Sequence, residues 1–251
     1  MKVMVLIAGV LDPKWPVAPA DGGLPERSGD RLLLSPFDEA ALEIALKIRD
    51  ATPDTDIHAV VAGGAEAEKL ARGVCALNIP HVATLALPSA WDQASVAGVL
   101  AKAAEDADLV LIGREFGDCD DGLVPPMLAG ILGRSFFGRA QAVDASAGLR
   151  LMREAALDEE WLSVGGGLVV SVTNDRRNRL RKPLMKNVML ARQARIDAIE
   201  NTGPIMAADG LLLARGFELA GTRMTTDCRM IGGDVQEQAR ALAAILCGER
   251  I

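Results

Sequence analysis

The chain has 251 residues, of which 50% are hydrophobic and 24% charged. That is room and material for one substantial α/β core plus an arm, or two small domains, and it excludes a mostly disordered polypeptide. The net charge of −7 repels nucleic acid at long range, and with no Tyr, five Phe and three Trp the stacking platforms of single-strand binders are missing.

Val3 to Ala8 is a continuous apolar run, as expected of a parallel strand buried on both faces, and it is far short of the roughly 20 residues of a membrane helix. Before it stand only Met1 and Lys2, with no small-residue cleavage site and no Arg/Ser-rich leader, so a cytoplasmic protein without membrane insertion is expected. Residues 12–34 carry Pro13, Pro16, Pro19, Gly22, Gly23, Pro25 and Gly29 and read as a loop. Ser35 is a good N-cap and Pro36 suits the first helical position. Phe37, Ala41, Ile44, Ala45 and Ile48 then recur at helical spacing, which predicts a helix to about Arg49.

A second strand over Ile57–Val61 runs into Ala62-Gly63-Gly64 and a helix over about 65–77. A third over Val82–Leu87 precedes a helix over Ser95–Ala104, and a fourth over Asp108–Ile112 precedes Gly113 and an acidic loop. This alternation predicts an α/β fold, a doubly wound and mostly parallel sheet with ligand groups gathering at the carboxyl ends of the strands. After Gly138 the apolar segments 148–154 and Leu168–Val172 read as antiparallel or edge additions, and Gly165 to Gly167 as a turn. From about 193 the chain reads as loop until Asp234 opens an amphipathic helix through Val235, Ala239, Leu242, Ile245 and Leu246. The predicted division is therefore a domain over 1–192 and a C-terminal arm over 193–251, too poor in apolar residues to stand alone.

Four cysteines, Cys75, Cys119, Cys228 and Cys247, form no CxxC pair. With only His58 and His81 beside them, neither a metal site nor a disulfide framework is expected, and both histidines read as structural. No nucleophile elbow, no P-loop and no Ser/Cys–His pairing pattern is present, so no catalytic residue is assigned. Between 176 and 195, Arg176, Arg177, Arg179, Arg181, Lys182, Lys186, Arg192 and Arg195 stand with no acid among them, which calls for a partner surface or a phosphate.

Three segments, in order and spacing, resemble the electron-transfer flavoprotein beta family over about residues 1–192. Ser35-Pro36-Phe37-Asp38-Glu39 followed by Ala41-Leu42-Glu43 is similar to that family's Asn-Pro-Phe-(Asp/Cys)-Glu helix opening. Asp108-Leu109-Val110-Leu111-Ile112-Gly113-Arg114, with Asp118-Cys119-Asp120 and Met127-Leu128-Ala129 after it, resembles its Asp-Leu-Val-Leu-Leu-Gly-Lys strand and nucleotide loop. Met185-Lys186-Asn187-Val188-Met189 resembles the Leu-Pro-Asn-Ile-Met stretch of its docking loop. The resemblance implies an adenine-nucleotide-hydrolase-like fold and a carrier subunit rather than an enzyme. That subunit pairs with a larger alpha subunit holding most of an FAD, takes electrons from a flavin dehydrogenase and passes them to a membrane or quinone-linked acceptor.

Cofactor contacts are then implied at Leu6, Ser35, Pro36, Phe37, Asp38, Ala62, Gly63, Phe116, Gly117, Asp118, Asp120, Gly122, Val124 and Met127, and partner docking at Arg181, Leu184, Met185 and Lys186. In that reading Met185 takes the place of the family's leucine anchor, and the basic residues around it speed the encounter. The sequence also departs from the resemblance. Gly122-Leu123-Val124-Pro125-Pro126 stands where many relatives have Asn-Gln-Thr-Gly-Gln to bind the phosphate of AMP. Asp118, Asp120, Val124 and Pro126 match instead an Asp-x-Asp-x-x-x-Val-x-Pro form associated with a second FAD, although Asp121 and Leu123 replace its Thr and Gln. AMP, a second FAD and an empty pocket all remain open. Ala8-Gly9 and Asp12-Pro13 replace the family's Lys-Arg and Asp-Tyr, with Trp15 as the nearby aromatic. The fold pattern alone also allows a stand-alone adenine-nucleotide-binding module or hydrolase.

Overall fold

The computed structural model describes residues 1–14, 32–64, 67–88, 91–118, 120–200 and 230–248. Seven parallel strands form its centre: β1 (Lys2–Ile7), β4 (Asp56–Gly63), β5 (His81–Ala86), β6 (Leu109–Gly113), β7 (Ser135–Ala140), β11 (Leu168–Val172) and β12 (Asp197–Ile199). Their order is β12-β5-β4-β1-β6-β11-β7, so the chain builds outward from β1 to β4 and β5, then crosses back to place β6 on the other flank of β1. The doubly wound α/β expectation holds. Side chains alternate across β1 and so split the core in two: Val3, Val5 and Ile7 pack beneath α1 (Pro36–Ala51) and α2 (Ala67–Cys75). Met4, Leu6 and Ala8 pack beneath α3 (Gln93–Ala104) and α4 (Val124–Leu132). Each fully buried Leu or Ile, such as Leu42, Ile44 or Leu46, contributes about 1.5–3 kcal/mol relative to an exposed one.

Three expectations are corrected. Leu168–Val172 is neither antiparallel nor an edge: β11 lies inside the sheet, parallel to β6 on one side and β7 on the other. Its five residues are all buried and four of them are apolar, as a central strand covered on both faces requires. The parallel edge is β7, whose SFFGRA sequence has too few consecutive apolar residues to signal a strand. The stretch after 193 is not loop throughout either, because β12 pairs with β5 at the opposite edge. Within the predicted loop 12–34, β3 (Leu32–Leu33) returns to pair with β2 (Val10–Leu11). The antiparallel character of 148–154 is present in β9 (Arg150–Ala155), the centre of a three-stranded sheet with β8 (Ala142–Asp144) and β10 (Asp158–Ser163).

The chain divides into two compact units, Met1–Phe217 and Glu218–Ile251. In the second, Asp234 and Glu237 close a capping box on α6 (Val235–Leu246), yet none of its residues is buried, and Val235 and Leu246 are 83% and 78% exposed. Among the described residues no helix is long and apolar enough to cross a membrane.

Candidate functional site

The strand order reverses at β1, so the crevice where doubly wound folds collect ligands lies beyond the carboxyl ends of β1 and β6. The start of α1 forms one wall. Asp38 N–H donates to Ser35 Oγ (3.0 Å), while Ser35 N–H (3.1 Å) and Gly9 N–H (3.2 Å) donate to Asp38 Oδ2. The capping box thus also ties the helix to the exit of β1. Asp38 is completely buried, and burial raises its pKa to about 6 despite these hydrogen bonds. Its Oδ1 is buried without a partner beside Gly113, where a Cβ would come within 3.0 Å of Phe37 Cβ. With Pro36 lacking an N–H and Glu39 N–H bound to Ser35 O (2.9 Å), this helix start has few donors left for a phosphate.

The second wall is the loop between β6 and α4. Asp120, 7% exposed, turns its carboxylate inward. Its Oδ1 accepts from the N–H groups of Gly122 (3.0 Å), Leu123 (2.8 Å) and Val124 (3.2 Å), and its Oδ2 from Phe116 N–H (2.9 Å). These are the donors with which such a turn would hold an anion, and the chain fills them with its own carboxylate. Asp118 Oδ2 accepts from Leu11 N–H (3.0 Å), fastening the loop to β2. Gly117, at φ +70°, lies where a Cβ would be 3.0 Å from Ala8 Cβ, so only glycine lets the loop rest on the exit of β1.

Of the residues anticipated for a cofactor, Ser35, Phe37, Asp38, Gly117, Asp118, Asp120 and Gly122 gather at this edge. Pro36 serves as the first helical residue of α1. Leu6, Ala62, Phe116 and Val124 have fully buried side chains in the α3/α4 core, which leaves only their backbone to meet a ligand at this edge. Gly63 accepts from Leu87 N–H through its carbonyl (3.0 Å), and Met127 is 37% exposed on α4. Trp15 lies outside the described residues. Sequence reasoning missed Gly9, whose N–H completes the Asp38 network, although a glycine closing an apolar strand is a signal for close backbone approach.

The residues anticipated for partner docking lie on a different segment, around α5 (Met185–Ala191). Leu184 and Met185 are 70% and 76% exposed at the start of α5, and Met189 and Leu190 continue the apolar patch. Arg181 is bound internally rather than presented: its guanidinium holds Glu43 (2.8 Å) and Asp50 (2.7 Å) on α1, and its N–H donates to Glu43 Oε2 (3.1 Å). Glu43, at a core-facing position of α1, is the partner that the sequence reading overlooked. Arg177 pairs with Asp175, and Lys47 grips Asn178 Oδ1 (3.1 Å), so the segment before α5 is braced on α1. Among the described residues Arg176, Arg179, Lys182, Lys186 and Arg192 have no ion-pair partner, which leaves basic charge on the same stretch of chain as the exposed leucines and methionines.

Residues 26–204 match the family model described as electron transfer flavoprotein domain. The chain is similar to proteins named electron transfer flavoprotein subunit beta. That of Bradyrhizobium diazoefficiens is 27% identical over 198 residues, covering 77% of this chain and 79% of the relative. The human protein is 29% identical over 209 residues, covering 80% and 81%. A mitochondrial one from Oryza sativa subsp. indica is 28% identical over 268 residues, covering 92% of this chain and all of the relative.

Proposed function

The chain belongs to the electron transfer flavoprotein family, on the side of its beta subunits, and on that premise we propose that it is the smaller half of a two-subunit electron carrier. In this reading a larger alpha subunit holds most of an FAD. The pair takes electrons from a flavin dehydrogenase and delivers them to a membrane or quinone-linked acceptor. The flavin supplies the redox chemistry, and this chain supplies orientation and a docking surface.

The observation that carries the reading is the match of residues 26–204 to the electron transfer flavoprotein domain. Taken within its own unit, α6 has a complete capping box and an apolar stripe that its unit leaves uncovered, which suits a segment that lies on another subunit. The apolar patch from Leu184 to Leu190, with unpaired basic side chains on the same stretch of chain, supports docking of a separate redox partner: an adaptable Met185 anchor, with charge that speeds the encounter. A stand-alone nucleotide-cleaving module would need open phosphate donors at the carboxyl edge, and Asp120 occupies them.

The same donor set tests the nucleotide. With four N–H groups given to Asp120, and Asp118 and Asp121 adding negative charge, the turn before α4 does not fit the phosphate of AMP or of a second FAD. Our reading therefore gives this chain no phosphate-bearing nucleotide at that turn, and its share of the cofactor is a wall against the flavin carried by the larger subunit. The experiment is co-expression with the larger subunit, followed by denaturation and chromatography of what is released. A yellow heterodimer yielding one FAD is expected. A colourless monomer indifferent to the larger subunit would overturn the carrier, and stoichiometric AMP or a second FAD would overturn the nucleotide assignment alone.

A further inference from the structure

The opposite rim of the sheet holds a side-chain cluster that none of the preceding roles uses. β4 and β5 run parallel with His58 directly beside His81, so the two imidazoles rise from the same face and stack, their centroids 4.5 Å apart and their planes 13° from parallel. Asp56 stands two residues before His58 on the same strand and so shares that face. Its carboxylate reaches both rings: Oδ2 is 2.8 Å from His58 Nε2, and Oδ1 is 3.7 Å from His81 Nε2. One ligand atom from each of the three residues lies within 4.8 Å of the others.

We propose that Asp56, His58 and His81 are a binding site for a divalent transition-metal ion, Zn2+ foremost. Ligand bonds of 2.0–2.2 Å place neighbouring ligand atoms around a tetrahedral ion roughly 3.3 Å apart. The ligand atoms here lie within 4.8 Å of one another, and half-exposed His81 turns out of the stack on binding so that both ring planes point at the ion. Two imidazoles and one carboxylate suit Zn2+, Ni2+ or Cu2+, whereas Mg2+ and Ca2+ demand more oxygen. Three protein ligands leave a coordination position for water, and the histidines form one wall of a cavity of about 490 Å³ in which that water has room.

Charge does not oppose the ion. Lys2, Lys102 and Arg195 also line the cavity, but Glu105, Asp106 and Asp197 line it with them. Lys2 Nζ is held by Asp106 (2.5 Å) and Arg195 Nε by Asp197 (3.0 Å). All three ligands are anchored to hydrogen-bonded strands rather than to a loop, so the backbone is already arranged for binding. Both His81 and Asp56 are half exposed, which leaves the site open to solvent. The bound ion would clamp β4 to β5 at the end of the sheet away from the carboxyl edge, and it enters no bond-making step.

Calorimetric titration of ZnCl2 into the full-length protein tests this, after stripping by chelator and alkylation of the cysteines so that thiolates do not compete. One saturable equivalent with micromolar affinity is expected, a rise in melting temperature with added Zn2+, and no heat with MgCl2. Replacing His58 or His81 by Ala should weaken Zn2+ binding roughly ten- to a hundred-fold while leaving the far-ultraviolet circular dichroism unchanged. His81→Gln, at the more exposed position, decides the question if His58→Ala fails to fold. Absence of saturable heat in the wild type, or binding that survives loss of either histidine, would overturn the proposal.

Discussion

At the carboxyl rim of the sheet Asp120 takes four backbone N–H groups and Asp38 takes two, whereas at the amino rim Asp56 shares one carboxylate between two imidazoles in front of an open cavity. Both rims hold acids near the ends of strands. They differ in what the acids face: buried backbone donors that are fixed in number, or partly exposed imidazoles that line a cavity. A rim closed from within is stable without a ligand, and its carboxylates are structural even where the fold places ligand sites. The open rim gains something to hold only when a cation arrives.

The largest effect is expected where the closed rim is broken. Asp120→Ala strands three N–H groups at the start of α4 and that of Phe116 in the loop before it, and should cost about 3–4 kcal/mol, read from the denaturation midpoint. Millimolar inorganic phosphate should restore part of that loss in the variant and none in the wild type, because the emptied turn becomes an anion site. Equal stability of variant and wild type would show that Asp120 is not what fills the turn.

Asp38 gives a pH signature of about 2–3 kcal/mol. Its carboxyl goes from 3.8 when unfolded to about 6 when folded. Between those values the native state keeps a proton that the unfolded chain has released, so stability falls as pH rises from about 4 to 6 and is not regained above. Asp38→Asn should remove that decline, and denaturation midpoints that follow the same pH profile in both proteins would contradict it.

The brace beneath the docking segment comes next. Arg181→Ala leaves Glu43 buried without its partner and should cost about 2 kcal/mol, a figure reduced because Arg181 is itself 40% exposed. It should also slow reduction by the donor dehydrogenase by displacing Met185. Arg181→Lys, which keeps the charge but not the fork, should restore less than half. The smallest effect belongs to the open patch. Met185 is 76% exposed, so in Met185→Ala the melting temperature and flavin content should stay constant while reduction at sub-saturating carrier falls about tenfold. An unaltered rate would remove its anchor role.

Much of this was legible along the chain. Continuous apolar runs at Val3–Ala8 and Leu109–Ile112, the Ser35-Pro36 start and the Asp234 cap each declare themselves within a few residues, because strand burial, helix period and capping are local properties. The carboxyl-edge residues could be named for the same reason: they follow strands whose ends were visible. What a side chain does there was not visible. Asp120 reads as one more acid in an acidic loop until the turn folds back and places four N–H groups around it, and Arg181 reads as free positive charge until α1 brings Glu43 beneath it. Leu168–Val172 has the same composition at an edge or in the centre, and only the pairing of β6 and β7 on its two sides decides which. His58 and His81 are separated by a helix and match no metal spacing, and it is the register of two parallel strands that stacks them over Asp56. Sequence alone determined the elements and their caps, since these depend on neighbours within about one helical turn. Tertiary structure decided which charges meet, because in a doubly wound sheet the partners of a strand-end residue come from elements far along the chain.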